Sequence, residues 1–228
     1  MARELPIFPL PIVLFPGAPQ SLHIFEPRYR RLLSDCLAAD RRFGIAYVAA
    51  ERAPSADPAP DPGAVGCVAL IHSTRRLPDG RSNIVTVGER RFVLLEWLDA
   101  DRPYWVARVA EFDDERTEPN EAATLAAAVR QRFARLARAL GALAGSDEEA
   151  IELSEDPERL SFQVAAALEL QPDAQRALQA LRSTTARLRQ LADLLEPLAA
   201  DARRRAAVRQ RAKRNGTGGA HPRVERTT

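Results

Sequence analysis

Residues 5–17 read LPIFPLPIVLFPG, a run that is almost wholly apolar and yet contains prolines at positions 6, 9, 11 and 16. A proline cannot donate a backbone hydrogen bond to a sheet, and it is not tolerated inside a helix. Apolar fragments that pair as short strands, with prolines where strands begin, bend or end, satisfy both facts. We therefore expect three buried strand fragments within residues 4–25, with the sequences ELPIFPL, PIVLFPG and SLHIF.

The segment PRYRRLLSDCLAAD, residues 27–40, has the pattern of an amphipathic helix that begins with Pro27 at its first position. The spacing of the apolar residues predicts one buried face, which consists of Tyr29, Leu32, Leu33, Cys36 and Leu37. Glu26 precedes the helix and is predicted to hydrogen-bond the amides of the first turn, at the positive end of the helix dipole. A contact surface for a bound peptide is the alternative role for Glu26 and Arg28.

The rest of the first half is predicted to be β-structure. The segment FGIAYVAA (43–50) is rich in strand formers, and residues 104–112 alternate between two faces. Between them, the motif PDG at 78–80 predicts a tight turn that joins two apolar runs. Residues 51–63 are rich in Pro, Ala and Asp, so we expect them to form a mobile surface loop.

Near residue 119 the composition changes abruptly to Ala, Leu, Arg and Glu. Helical spacing predicts one long helix over about 119–144, and further helices should begin at Asp156 as N-cap before Pro157, at Pro172 and at Ser183. The leucines expected to face inward on the first and last helices are Leu125, Leu136, Leu140, Leu143, Leu188, Leu191, Leu195 and Leu198. The second half is therefore predicted to be a small helical bundle.

Length and composition predict a folded protein without disulfide or metal cross-links. The 228 residues are 46% hydrophobic, enough for one large domain or two small ones. Cys36 and Cys67 fall in no CxxC or Cys/His pattern, which favours buried thiols in a reducing compartment and predicts neither a metal site nor a cofactor. Glu4 and the prolines interrupt any helical signal sequence, so we expect a cytoplasmic protein with no membrane span.

Four stretches carry a resemblance to a known family. They are LPIFPLPIVLFPGAPQSLHIFEPRYRRLLSDCL (5–37), FGIAYV (43–48), GCVALIHSTRRLPDGRSNIVTVGERRF (66–92) and ELSEDPERLSFQVAAALELQPDAQRALQAL (152–181). Over roughly residues 4–200 the chain resembles the N-terminal domain of Lon protease, also called the LON substrate-binding domain. The block FPLP…LFPG…LHIFEPRY is the most specific part of this resemblance.

The resemblance implies an α+β fold, in which a PUA-like β-barrel with one early helix is followed by a C-terminal helical bundle. We expect the PUA-like β-barrel over residues 1–115, the α-helical bundle over 116–202 and a basic disordered tail over 203–228. The proline-rich opening run would then thread the barrel, with its apolar pieces packed inside.

The resemblance also implies substrate recognition without catalysis. Complete Lon proteases continue into an ATPase and a serine–lysine peptidase, whereas this sequence has no GxxxxGK[ST] phosphate loop and a single lysine, Lys213. No nucleophile motif accompanies His23, His72 or His221, so no catalytic residue is predicted. We expect a non-enzymatic module that binds unfolded or degron-bearing polypeptides, or a partner protein, through an apolar groove between barrel and helices.

Two sets of residues are candidates for binding. A possible partner-binding surface comprises Phe25, Glu26, Arg28, Tyr29, Arg75, Arg76 and Arg90. A possible polyanion-binding tail comprises Arg203, Arg204, Arg205, Arg209, Arg211, Lys213 and Arg214. These cations leave a second hypothesis open, a nucleic-acid-binding protein that uses the PUA-like barrel and the basic tail. Solvated surface charge and a solubilising helix end are the structural alternatives.

Overall fold

The computed structural model describes residues 2–49, 59–144 and 152–216, with strands in the first half and helices in the second. The strands are β1 (Ala2–Leu10), β2 (Pro19–Ile24), β3 (Arg42–Tyr47), β4 (Val65–Arg76), β5 (Ser82–Leu98) and β6 (Trp105–Glu111). The helices are α1 (Pro27–Ala38), α2 (Pro119–Ala144), α3 (Pro157–Ala167), α4 (Pro172–Ala180) and α5 (Thr184–Gly216). The predicted α+β order is confirmed, whereas most of the expected loop at 51–63 lies outside the described residues.

The strand pairings curl the sheet around its own core. They run from β5 through β4, β3, β1 and β6 and return to β5, while β2 pairs with the first part of β5. The pairing of β1 with β3 is parallel and the others are antiparallel. Register shifts between Ile71 and Ser73 on β4 and between Leu94 and Glu96 on β5 accompany the bending. The long strand β5 is therefore the element that three others share.

The proline-rich opening run forms one strand and one buried loop, so the prediction of a second strand at PIVLFPG is wrong. Residues 11–18 are described and form no strand, and Pro11 and Pro16 offer no N–H for pairing there. Leu14 and Phe15 are nevertheless only 2% and 1% exposed. Leu14 packs against the sheet and α1, whereas Phe15 packs among the helices. This loop therefore joins the cores of the two halves.

The buried face of α1 is mostly as predicted, since Tyr29, Leu32, Leu33 and Cys36 are buried and Leu37 is exposed. The predicted cap is wrong, because the Glu26 side chain makes no hydrogen bond to the first-turn amides. Glu is longer than the Ser, Thr, Asp or Asn that usually cap a helix. The Glu26 carboxylate instead pairs with Arg28 at 3.0 Å.

The predicted helix starts in the second half are confirmed. The Asp156 carboxylate accepts a hydrogen bond from the Arg159 amide at 2.8 Å, and the Ser183 hydroxyl accepts one from the Ala186 amide at 3.2 Å. The long helices α2 and α5 run side by side in the same direction. Glu121 pairs with Arg189 near their first turns, and Arg209 donates to the Leu143 carbonyl near the end of α2.

The basic segment predicted to be disordered is instead helical as far as Gly216. Alanine and arginine are both good helix formers, and the segment is rich in them. Arg204 and Arg205 also pair with Asp201 one turn earlier, at 3.0 and 2.7 Å. Residues 217–228 lie outside the described part of the chain.

Candidate functional site

A polar cleft of about 690 Å³ lies where the sheet meets the helices. We define the polar cleft by residues 16–17 and 88–91 of the barrel-like half, residues 112–113, and side chains between 154 and 163. It is the position at which the sequence predicts an apolar groove. Charged side chains dominate its walls instead, so that prediction is wrong in its chemistry.

A buried ion-pair network lies behind the polar cleft and reaches its wall through Arg91. Arg91 on β5 and Arg187 on α5 both bond to the Asp114 carboxylate, and all three side chains are at most 4% exposed. Arg187 Nη2 lies 2.5 Å from Asp114 Oδ2, and the Thr184 hydroxyl donates to the same oxygen at 2.5 Å. Arg187 Nε also donates to the Ser161 hydroxyl at 2.7 Å. The network therefore joins β5 to α3 and α5.

The two buried guanidinium groups are fully engaged by their surroundings. Arg91 Nη1 donates to the carbonyls of Gln179 and Leu181, each at 2.6 Å. The Phe162 ring lies 3.9 Å from the Arg187 guanidinium carbon and 5.1 Å from that of Arg91. Burial lowers the pKa of Arg91, and the nearby Asp114 carboxylate opposes this effect. These contacts are those of a structural joint, because each guanidinium group bonds to the Asp114 carboxylate and to backbone carbonyl groups.

Two of the outer charges of the polar cleft also have ion-pair partners. Glu89 accepts hydrogen bonds from Arg42 at 2.7 and 2.8 Å, and this interaction lowers the pKa of Glu89. Arg90 pairs with Glu111 at 2.7 Å. Burial, with a contribution from the Asp114 charge, raises the pKa of Glu158. Ion pairs therefore hold three of the charged residues that line the polar cleft, namely Glu89, Arg90 and Arg91.

A second concave region, of about 570 Å³, lies entirely among the helices. We define this apolar groove by residues 133–143 of α2, residues 167–170 after α3, and residues 198–205 of α5. Helix α2 contributes Phe133, Leu136, Leu140 and Leu143, spaced along one stripe. The floor of the apolar groove is therefore made of aliphatic and aromatic side chains.

Two leucines of the apolar groove are exposed although their spacing predicts burial. Leu140 is 46% exposed and Leu198 is 39% exposed. One turn earlier on the same helices, Leu136 and Leu195 are 6% and 0% exposed. The helical periodicity correctly places all four on the inward stripe, but the bundle covers only the earlier pair. The apolar stripe thus extends beyond the packed core.

The rim of the apolar groove carries charge. Asp201 and Arg205 of α5 line it and pair with each other, and Glu169 lines the opposite side. The Arg205 side chain is 72% exposed. Val208, which continues the same stripe of α5, is 67% exposed. The groove therefore opens toward an exposed, arginine-rich helix end.

The predicted partner-binding surface does not form one patch. Phe25 is 56% exposed beside His23, and the sheet register aligns His23 with Asn83 and Asn83 with Arg75. Arg76 follows Arg75 at the exposed end of β4. Arg90 lies on β5 seven residues beyond Asn83, roughly 23 Å away along an extended strand.

The other three predicted members lie at the start of α1. Tyr29 is 5% exposed and stacks on Phe8 with ring centroids 3.9 Å apart, so it belongs to the core. The Arg28 guanidinium lies 4.6 Å from the centre of the Tyr29 ring and pairs with Glu26. Glu26 and Arg28 therefore hold the start of α1 in place.

The predicted polyanion-binding residues lie on α5. Exposed arginines of this helix are Arg203, Arg204, Arg205, Arg209 and Arg211. Lys213 and Arg214 belong to the same helix, and their side chains lie outside the described part. Within the three described ranges, no three His, Cys, Asp or Glu side chains are grouped to hold a metal ion. No helix of those ranges is both long and apolar enough to span a bilayer.

Comparison with known protein families identifies the family of this chain. The model of the ATP-dependent protease La (LON) substrate-binding domain matches residues 4–197. The chain belongs to the LON substrate-binding domain family. The resemblance carried by the FPLP…LFPG…LHIFEPRY block is thereby confirmed.

Curated relatives of this LON substrate-binding domain are Lon proteases. The one from Roseiflexus castenholzii is 31% identical over 195 residues, which cover 84% of this chain and 24% of that protease. The one from Heliobacterium modesticaldum is 28% identical over 200 residues, which cover 85% of this chain and 24% of that protease. The chain therefore spans about a quarter of the length of these relatives.

Solved structures agree on the fold. The crystal structure of the Lon N-terminal domain protein from Xanthomonas campestris has a TM-score of 0.59 and 24% identity, over 83% of this chain and 96% of that one. The N-terminal domain of Mycobacterium avium complex Lon protease has a TM-score of 0.64 and 20% identity, over 87% and 99%. This LON substrate-binding domain thus has the fold of Lon N-terminal domains, and its similarity does not extend to a peptidase domain.

Proposed function

We propose that this chain is a non-enzymatic polypeptide-binding module that holds unfolded or degron-bearing segments, or a partner protein, in the apolar groove. The observation that carries the proposal is the exposure of Leu140 and Leu198, which the helical pattern places on the inward stripe. Exposed apolar surface in a concave site is costly in water and is relieved when a partner covers it. Membership of a substrate-binding domain family supports a polypeptide as that partner.

The geometry favours side-chain burial as the source of affinity. A volume of about 570 Å³ lies within the range of ordinary ligand pockets and accommodates several apolar side chains. Because apolar burial is non-directional, it tolerates varied sequences, as a recognition module for unfolded chains requires. Micromolar affinity, about 8 kcal/mol, would be sufficient for such a module.

The nucleophile candidates support a non-enzymatic module. Burial raises the pKa of Cys36 to about 12 and also raises the pKa of Cys67, so both thiols stay protonated at neutral pH. His23 is hydrogen-bonded to Asn83 at 2.6 Å on an exposed strand. The two unpaired cysteines are also compatible with a cytoplasmic setting.

The test compares two exposed leucines. The probe is a permanently unfolded protein, reduced and carboxymethylated α-lactalbumin, titrated with the chain and followed by fluorescence anisotropy. Leu140→Gln should weaken binding by about ten-fold, because it removes one buried apolar contact of about 1.5 kcal/mol. Leu95→Gln is the matched control, since Leu95 is 43% exposed on β5, outside the apolar groove.

The control should bind the probe as tightly as the unsubstituted chain does. Equal losses in both variants would place binding elsewhere and overturn the assignment to the apolar groove. Absence of measurable binding by the unsubstituted chain, to this probe and to an apolar synthetic peptide, would overturn the proposed function itself.

A further inference from the structure

We propose, resting on the polypeptide-binding function above, that the apolar groove prefers segments in which apolar residues are flanked by acidic ones. The reason is the juxtaposition of an aliphatic floor, bordered by Arg205, with the arginine-rich end of α5 that continues beyond the groove. Leu140 and Leu198 provide exposed apolar contacts, and Arg205 lies one to two turns beyond Leu198 on the same stripe of α5.

The end of α5, from Asp201 onward, carries mostly positive charge. Between residues 201 and 211, α5 carries five arginines and one acidic residue, Asp201. Asp201 pairs with both Arg204 and Arg205, so its single charge is shared. Among the described residues that line the groove, Glu169 is the other acid, and it follows α3 in the chain. Among the described residues, the arginine charge on this helix end exceeds that of the carboxylates that contact it.

Only some of these arginines have a structural role at the end of a helix. Arg209 donates to the Leu143 carbonyl and so satisfies the end of α2, where a cation is favoured by the helix dipole. Arg205 has no such role, because it pairs with the Asp201 carboxylate of its own helix and its side chain is 72% exposed. A bound carboxylate could share Arg205 without disturbing the fold.

The same rim could attract a nucleic acid, but the floor favours a polypeptide. Binding of single-stranded nucleic acid relies on exposed aromatic rings that stack on bases. The aromatic side chain that lines the apolar groove, Phe133, is 7% exposed and belongs to the core. The exposed floor residues, Leu140 and Leu198, are aliphatic and suit leucine-like side chains of a partner.

The experiment uses the full chain and three short synthetic peptides that share one leucine-rich core. Their flanking residues are glutamate, glutamine or lysine, and binding is measured at about 0.15 M ionic strength, where only charges within about 8 Å interact strongly. The glutamate-flanked peptide should bind about ten-fold more tightly than the glutamine-flanked one, with the lysine-flanked peptide weakest.

Two arginine variants locate the preference. Arg205→Gln should weaken the glutamate-flanked peptide by about two- to five-fold and leave the glutamine-flanked one unchanged. Arg189→Gln is the matched control, because Arg189 is also an exposed arginine of α5 with one carboxylate partner, Glu121. It lies about 24 Å away along the helix, beyond the screening distance. Arg205→Glu should shift the preference toward the lysine-flanked peptide.

The outcomes separate this inference from the proposed function. Equal binding of the three peptides, with loss in Leu140→Gln, would overturn the acidic preference and leave the polypeptide-binding module intact. Failure of all three peptides to bind would overturn both. A competition with single-stranded RNA gives a third outcome. If the RNA binds more tightly than the glutamate-flanked peptide and displaces it, and does so equally in Arg205→Gln and Arg189→Gln, the acidic preference would be overturned in favour of general polyanion binding.

Discussion

The polar cleft and the apolar groove have similar volumes, about 690 and 570 Å³, but opposite chemistry. In the polar cleft, Arg91 and Arg187 are held by the Asp114 carboxylate and by carbonyl groups. In the apolar groove, Leu140 and Leu198 have only part of their surface covered. The buried charges of the first region are paired, whereas the apolar side chains of the second are only partly covered.

The difference between the two regions shows that neither volume nor charge density identifies a binding surface. A concave wall of paired charges gains little from a ligand, because each polar group already has a partner and would first have to release it. An exposed apolar stripe gains from any partner that removes it from water. We therefore assign stability to the polar cleft and binding to the apolar groove.

The largest effect should come from removing the shared anion of the polar cleft. Asp114→Asn leaves Arg91 and Arg187 buried without a carboxylate, and we expect it to lower the free energy of unfolding by about 3–5 kcal/mol. Urea denaturation followed by circular dichroism measures this change. Asp113→Asn, at the exposed neighbouring position, should change stability by less than about 0.5 kcal/mol. Similar losses of stability in Asp114→Asn and Asp113→Asn would contradict the structural role that we assign to the polar cleft.

An intermediate effect should separate the covered and uncovered parts of the α2 stripe. Leu136→Gln places a polar group at a position that is 6% exposed, and should cost about 2–5 kcal/mol of stability. Leu140→Gln, one turn later and 46% exposed, should cost less than about 0.5 kcal/mol. Thermal unfolding of both variants is the measurement. A large loss at Leu140 would mean that this leucine serves the core, which would contradict a free binding surface.

The smallest effect should come from a polar cluster outside both regions. Asp35 on α1 accepts hydrogen bonds from the Tyr104 hydroxyl at 2.8 Å and from Arg102 at 2.7 Å. The hydrogen bond from Tyr104, followed by the interactions with Arg31 and Arg102, lowers the pKa of Asp35 despite an opposing effect of burial. Asp35→Asn should cost about 1 kcal/mol at pH 7.

The lowered pKa of Asp35 determines how the stability lost in Asp35→Asn depends on pH. A carboxyl whose pKa is lower in the folded state stabilises the fold above its unfolded value of about 3.9, and the contribution disappears as the pH falls through the folded value. The stability difference between the chain and Asp35→Asn should therefore shrink below about pH 4 in urea titrations. Asp99→Asn, at an exposed position after β5, serves as the control and should show no such trend. A difference that stays constant with pH would refute the link to ionisation.

Local pattern was enough to predict most of the fold. Prolines at first helical positions and the caps Asp156 and Ser183 set the helix starts, because these signals act within one turn. The structure of the opening run, residues 5–17, was harder to predict. Its apolar residues predict burial, but they do not show whether the buried segment is a strand or a loop. Leu14 and Phe15 are buried in a loop between two cores, and that outcome depends on distant helices rather than on neighbouring residues.

The binding surface could be predicted only in part. The inward stripe that contains Leu140 and Leu198 follows from the sequence, but where the bundle stops covering it depends on how far each helix extends beyond its neighbours. The polar nature of the cleft was missed because the partners Arg91, Asp114 and Arg187 are far apart in the chain. No local motif marks a pairing of that kind.

A photo-crosslinking experiment tests the central claim most directly, because it compares the two regions in one assay. A photo-reactive amino acid replaces Leu140 in the apolar groove or Arg90 in the polar cleft, and each variant is irradiated with reduced and carboxymethylated α-lactalbumin. We predict a crosslinked product from the Leu140 position and little or none from the Arg90 position. Crosslinking that is stronger at Arg90 would contradict the assignment of binding to the apolar groove.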